Sequence, residues 1–76
     1  MMELDCTALA CPMPVIKLKK ALSQYPEQQV FCLSLRDRGG LRDIPAFCQH
    51  QGLGCELVSE ESVLVFKVVR PMESLK

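Results

Sequence analysis

Three prolines set the first constraint, because Pro12 and Pro14 precede the strongest helical pattern in the chain and Pro26 follows it. Proline has no backbone N–H and a fixed φ, so within a helix it is tolerated in the first turn, where those donors have no intrahelical partner. The residue before a proline is pushed out of the helical region, which ends the pattern before Pro26. In between, Val15, Leu18, Ala21, Leu22 and Tyr25 recur at spacings of three and four, with Lys17, Lys19 and Lys20 largely off that stripe. The spacing predicts a helix from Pro12 to about Gln24 with Cys11 at its cap. A thiolate there would face the positive end of the helix dipole, which lowers a cysteine pKa from its ordinary value of about 8.5. This position suits a nucleophilic or sulfur-carrying thiol, but the spacing fits equally a buried cysteine whose prolines only start the helix.

Around that helix the pattern changes period. Met2, Leu4 and Cys6 alternate with Glu3 and Asp5 as in a half-buried strand, and Gln29 to Leu35 reads as a second strand. The connection between them is long enough for a right-handed parallel crossover. A second helical stripe, Leu41, Ile44, Phe47, Cys48 and Gln51, ends at Gly52, with Asp43 as its candidate N-cap and Pro45 in its first turn. Gly54 to Ser59 and Ser62 to Arg70 read as two strands in a hairpin turning at Glu60-Glu61. The expected fold is an α+β two-layer sandwich of order βαβαββ, a four-stranded mixed sheet with two helices on one face. It forms one domain over 1–76 with 71–76 as a loose tail.

Parallel pairing would bring the loop holding Cys11 and the segment from Arg36 to Arg42 to one end of the sheet, where open α/β sheets place their sites. Arg36, Arg38 and Arg42 are therefore candidates to steady an anionic sulfur or meet an acidic partner. A solvated loop whose charges Asp37 offsets is the plain alternative. On the face without helices, Val30, Cys32, Val63, Val65 and Val69 suggest an apolar surface for a weak dimer or a partner, with scattered surface valines as the equal alternative.

Composition removes several functions. With 76 residues, nine basic and nine acidic side chains, the chain has no net field for nucleic acid or an anionic membrane surface. No run approaches the ~20 apolar residues that span a bilayer, and Glu3 and Asp5 occupy the place of a secretory signal's positive charge, so the expected compartment is the cytoplasm. Five cysteines form an odd set of reduced thiols. The lone His50 lies two positions from Cys48 and no Cys-x-x-Cys occurs, so no metal site is expected.

The run Leu4-Asp5-Cys6-Thr7-Ala8-Leu9-Ala10-Cys11-Pro12-Met13-Pro14-Val15 resembles the signature of the TusA/SirA-like sulfur-carrier family, and Asp43-Ile44-Pro45-Ala46-Phe47 with Gly52 is similar to that family's second helix. The sequence departs from the pattern at Ala8, where the family usually has Gly, and at the additional Cys6. A positive φ at Ala8 would cost about 1–2 kcal/mol. The resemblance implies the same two-layer fold, similar to the C-terminal domain of a bacterial translation initiation factor. It also implies a persulfide sulfur carried on Cys11, with Pro12, Pro14, Asp5 and Asp43 as supporting motif residues and no cofactor beyond that transient persulfide. Implied partners are a cysteine-desulfurase or rhodanese-like donor and an acceptor serving tRNA thiolation, cofactor synthesis or sulfur oxidation, with no direct contact to nucleic acid or membrane. Cys6, five residues before Cys11, is a candidate resolving thiol, although an inward strand cysteine also serves as packing. Cys32, Cys48 and Cys55 read as structural. A regulatory or nucleic-acid module, or a protein-interaction or membrane-protein accessory domain with an inert Cys11, are the competing classes.

Overall fold

Alternation along β1 (Met2–Cys6) sends Leu4 and Cys6 inward and leaves Glu3 and Asp5 exposed. The chain crosses through α1 (Met13–Gln24) to β2 (Val30–Leu35), then through α2 (Gly40–Gln51) to β3 (Gly54–Glu60) and β4 (Leu64–Val69). These elements come from a computed structural model describing residues 2–10 and 13–71. Most of the expected tail, 72–76, lies outside the described residues. The sheet order is β1-β2-β4-β3, with β1 and β2 parallel and the other two pairs antiparallel, so the expected mixed sheet forms.

One layer of side chains makes the core. Phe31, Leu33 and Leu35 from β2 and Leu64, Phe66 and Val68 from β4 are buried together with Leu4, Cys6, Leu18, Ala21, Ile44 and Cys48. Each fully buried aliphatic or aromatic side chain contributes about 1.5–3 kcal/mol, which is what holds so small a domain together. Pro14 is also buried, in the first turn of α1, where its missing N–H costs no helical bond.

The start of α2 corrects the sequence reading. Asp43 is not the N-cap: the helix begins at Gly40, Gly39 takes the cap position without a side-chain bond, and Asp43 N–H already donates to Gly39 O at 2.9 Å. The chain turns earlier because Asp37 Oδ1 accepts Gly39 N–H at 2.8 Å and Asp37 O accepts Gly40 N–H at 3.0 Å. A side chain on Gly40 would overlap Leu35 Cδ1, so glycine lets this turn lie against the sheet. Asp43 keeps a favourable place in the first turn, next to the positive helix end, whereas Pro45 falls inside the helix. The hairpin also differs. Its tip is Glu61-Ser62-Val63 rather than Glu60-Glu61, and a register shift between Leu57 and Ser59 leaves Val58 as an extra residue on the edge strand.

Pairing across the sheet corrects the expectation of an apolar helix-free face. Val30, Cys32, Val65 and Val69 are half-buried there, but one row across the sheet reads Glu3, Cys32, Lys67, Glu56, and Val63 sits in the hairpin tip. The valines of β2 and β4 left out Lys67, which lies among them on β4, and the charges that β1 and β3 bring to this face.

The carboxyl end of α1 needs outside help. Leu22 O would ordinarily accept from the N–H four residues on, but residue 26 is proline. Arg70, just past β4, donates through Nη2 to Leu22 O at 3.1 Å and to Tyr25 O at 3.2 Å, and through Nε to Gln28 O at 3.0 Å. Its guanidinium carbon also lies 5.8 Å from the centre of the Phe31 ring. A cation thus closes the negative end of a helix that has no basic residue in its last turn.

Candidate functional site

Parallel pairing places Cys6 beside Leu35, and antiparallel pairing places Leu35 beside Leu64. The ends of β1 and β2 therefore lead into their helices at one end of the sheet, as expected from the sequence, and the hairpin tip joins them there. Arg38 joins two of them, donating through Nη1 to Glu61 O at 3.0 Å.

The loop after β1 is built by short-range bonds. Leu9 N–H returns to Cys6 O at 3.0 Å, while the Thr7 hydroxyl (2.7 Å) and Thr7 N–H (3.0 Å) both donate to Asp5 Oδ1. Those two bonds, with smaller attractions from Lys17 and Arg36, hold the Asp5 carboxyl below its ordinary range. No non-glycine residue among the described residues has a positive φ, so Ala8 follows this turn without the strain that a family glycine would have avoided. Met13 N–H donates to Ala10 O at 2.9 Å where the chain enters α1, and both residues are exposed.

Of the residues singled out in the sequence, Cys11 and Pro12 lie outside the described residues. Asp5 and Pro14 flank the loop as described, and Asp43 stands one turn into α2. Arg36, Arg38 and Arg42 are exposed, with Arg36 close enough to act on Asp5 and Arg38 committed to the hairpin tip. Cys6 is completely buried, and loss of hydration raises its thiol pKa, an effect that Lys17 partly opposes and Asp5 reinforces. By its spacing alone Lys17 is only a residue off the apolar stripe. In the fold its ammonium reaches back to Asp5 O at 3.4 Å, placing a cation between the end of β1 and the first turn of α1. Among the described residues no group of three or more His, Cys, Asp or Glu side chains could hold a metal ion. No helix among them is long and apolar enough to cross a membrane.

The sequence profile of the family described as Sulfurtransferase TusA matches residues 2–70. The chain belongs to this family. Sulfur carrier protein TusA of Pseudomonas syringae pv. tomato is 39% identical over 59 residues, covering 78% of this chain and 68% of that protein. Sulfur carrier protein TusA of Allochromatium vinosum is 36% identical over 50 residues, and the aligned part covers 66% of each protein. The chain thus spans about two thirds of the length of such TusA relatives. A SirA-like protein from Desulfitobacterium hafniense shares the fold, with a TM-score of 0.79 at 24% identity over 91% of this chain and 96% of that one. The TusA fold therefore positions the loop after β1, the Arg36 segment and the hairpin tip as neighbours.

Proposed function

We propose that the chain is a small sulfur carrier that holds one sulfane sulfur as a persulfide on Cys11 and relays it between two proteins. The observation that carries this reading is the family match over residues 2–70, a span that contains the Cys11-Pro12-Met13-Pro14 run. The Cys11 thiolate attacks the outer sulfur of a donor persulfide, the bond between the donor's two sulfurs breaks, and its electron pair leaves with the donor thiolate. Cys11 then carries the terminal sulfur until an acceptor thiolate takes it by the same exchange. No cofactor takes part in either step. The donor is a cysteine desulfurase or a rhodanese-like protein, and the acceptor serves tRNA thiolation, cofactor synthesis or sulfur oxidation.

Support comes also from the surroundings of the loop. Ala10, just before the motif, and Met13, within it, are exposed, and the start of α1 lies at the end of the sheet where Lys17 and Arg36 act on Asp5. Positive charge and a helix N-terminus both favour a thiolate or perthiolate over its protonated form. The chemistry needs no general base held nearby, only a thiol that another protein can approach.

Intact-protein mass spectrometry tests the reading. Incubation with a cysteine desulfurase and cysteine is expected to add one sulfur, about 32 Da, to the chain and none to Cys11→Ser. Addition that persists in Cys11→Ser, or no addition with a donor that loads another family member, refutes it.

A further inference from the structure

Two cysteines outside that site lie together at the opposite end of the sheet. Cys48 is completely buried on the stripe of α2 that includes Gly40 and Ile44 and faces the sheet. Cys55 is the second residue of β3, an exposed position on an edge strand. In register it stands opposite Val68, which is itself buried beneath the helices, so Cys55 points to the helix side. Both thiols thus face the layer between α2 and the edge strand, close enough for each to act on the other's titration.

The chain between them is stiffly built. Gly52 leaves the helix in the left-handed region at φ 73°, and Leu53 N–H donates to Cys48 O at 2.7 Å, a pattern that reverses the backbone directly from α2 into β3. The same turn that ends the helix therefore delivers the second thiol to the first. Cys6 lies at the far end of the sheet and Cys32 on its other face, so neither competes for this contact.

We propose that Cys48 and Cys55 are a redox pair that closes to an intramolecular disulfide under a hydroperoxide, fastening the end of α2 to the edge strand. The exposed Cys55 reacts first. Its sulfur attacks one peroxide oxygen, the O–O bond breaks, and Cys55 sulfenic acid forms as the other oxygen leaves as an alcohol or water. The Cys48 sulfur then attacks the sulfenic sulfur, the S–O bond breaks, and the departing hydroxide takes the Cys48 proton to leave as water. Two thiols lose two electrons in all, and one peroxide gains them. Burial raises the pKa of both thiols, which keeps the thiolate fraction small near neutrality and makes this a slow pair that answers sustained oxidant.

The test uses the reduced full chain, with no sulfur loading, so its outcome is independent of the role of Cys11. The protein is incubated with hydrogen peroxide, unfolded, blocked with N-ethylmaleimide and digested with trypsin. The peptide 43–67 contains Cys48 and Cys55 and no other cysteine. The inference expects this peptide to lose both maleimide additions and weigh about 2 Da less than its unblocked dithiol form, at a rate independent of protein concentration, and to regain both additions after dithiothreitol. Cys55→Ser, a change at an exposed position, is expected to leave Cys48 fully blockable after the same treatment. The idea is overturned if Cys55 stops at sulfinic acid, or crosslinks two molecules, while Cys48 remains a thiol.

Discussion

Arg70→Ala removes one side chain that serves four groups at once. The two part-buried acceptors, Leu22 O and Gln28 O, lose a charged donor, which costs about 1.5–3 kcal/mol each before relaxation and rehydration. The exposed bond to Tyr25 O contributes less, and the position over Phe31 contributes about 0.5–1 kcal/mol. Because these groups share one side chain, their costs overlap. The net expected loss is about 3 kcal/mol, against a total stability of about 4–11 kcal/mol for a domain of this length. At about 4–8 °C per kcal/mol, the melting temperature should fall by about 12–24 °C. Urea unfolding followed by circular dichroism measures the loss. Arg70→Lys retains the charge but not the planar fork, and should recover about half of it. The origin of the effect has its own check: Pro26→Ala restores an N–H that Leu22 O can accept, so Arg70→Ala should cost less in that background. A loss below about 1 kcal/mol with an unchanged denaturant slope would refute the idea that Arg70 closes α1.

Gly52→Ala meets no neighbouring atom but must hold φ 73°, so it should cost about 1 kcal/mol by chemical denaturation and leave the fold unchanged. Cys48 makes stability depend on alkaline pH. Its pKa is pushed up from 9.0 to about 12 by burial, with Cys55 adding to the rise, so the folded state holds this proton where the unfolded chain has released it. Stability from this source is complete below pH 9 and declines as pH rises from about 9 to about 12. Urea midpoints measured across that window should fall less steeply in Cys48→Ala than in the parent protein, even though the variant starts lower.

The fold was legible because each element announces its own period. Alternation in β1, β2 and β4 and the stripe from Val15 to Leu22 depend on neighbours two to four residues apart, and prolines bound α1 in a way that needs no tertiary information. What escaped depends on contacts between elements. Asp43 looked like a cap because Pro45 follows it, yet α2 starts at Gly40, where the absence of a side chain lets the backbone lie against Leu35. The extra residue at Val58 is invisible in a run whose side chains all suit a strand. Cys48 and Cys55 were each readable as packing, and their contact exists only once Gly52 has turned the chain. At the candidate site, the shared location of the two helix-leading loops followed from β1 and β2 being parallel. By contrast, the reach of Lys17 to Asp5 O and of Arg38 to the hairpin tip left no trace in local pattern.

Because α1 and α2 both begin at the end of the sheet reached by parallel strands, their macrodipoles point the same way. Each helix carries about half a positive charge at its start, so a chain with no net charge still has a polarised body with an electropositive pole. Dissolved salt weakens such a field beyond about 10 Å. Within that range, an acidic protein surface would be turned to meet the motif-bearing pole before any side chain touched it, and docking should slow as ionic strength rises.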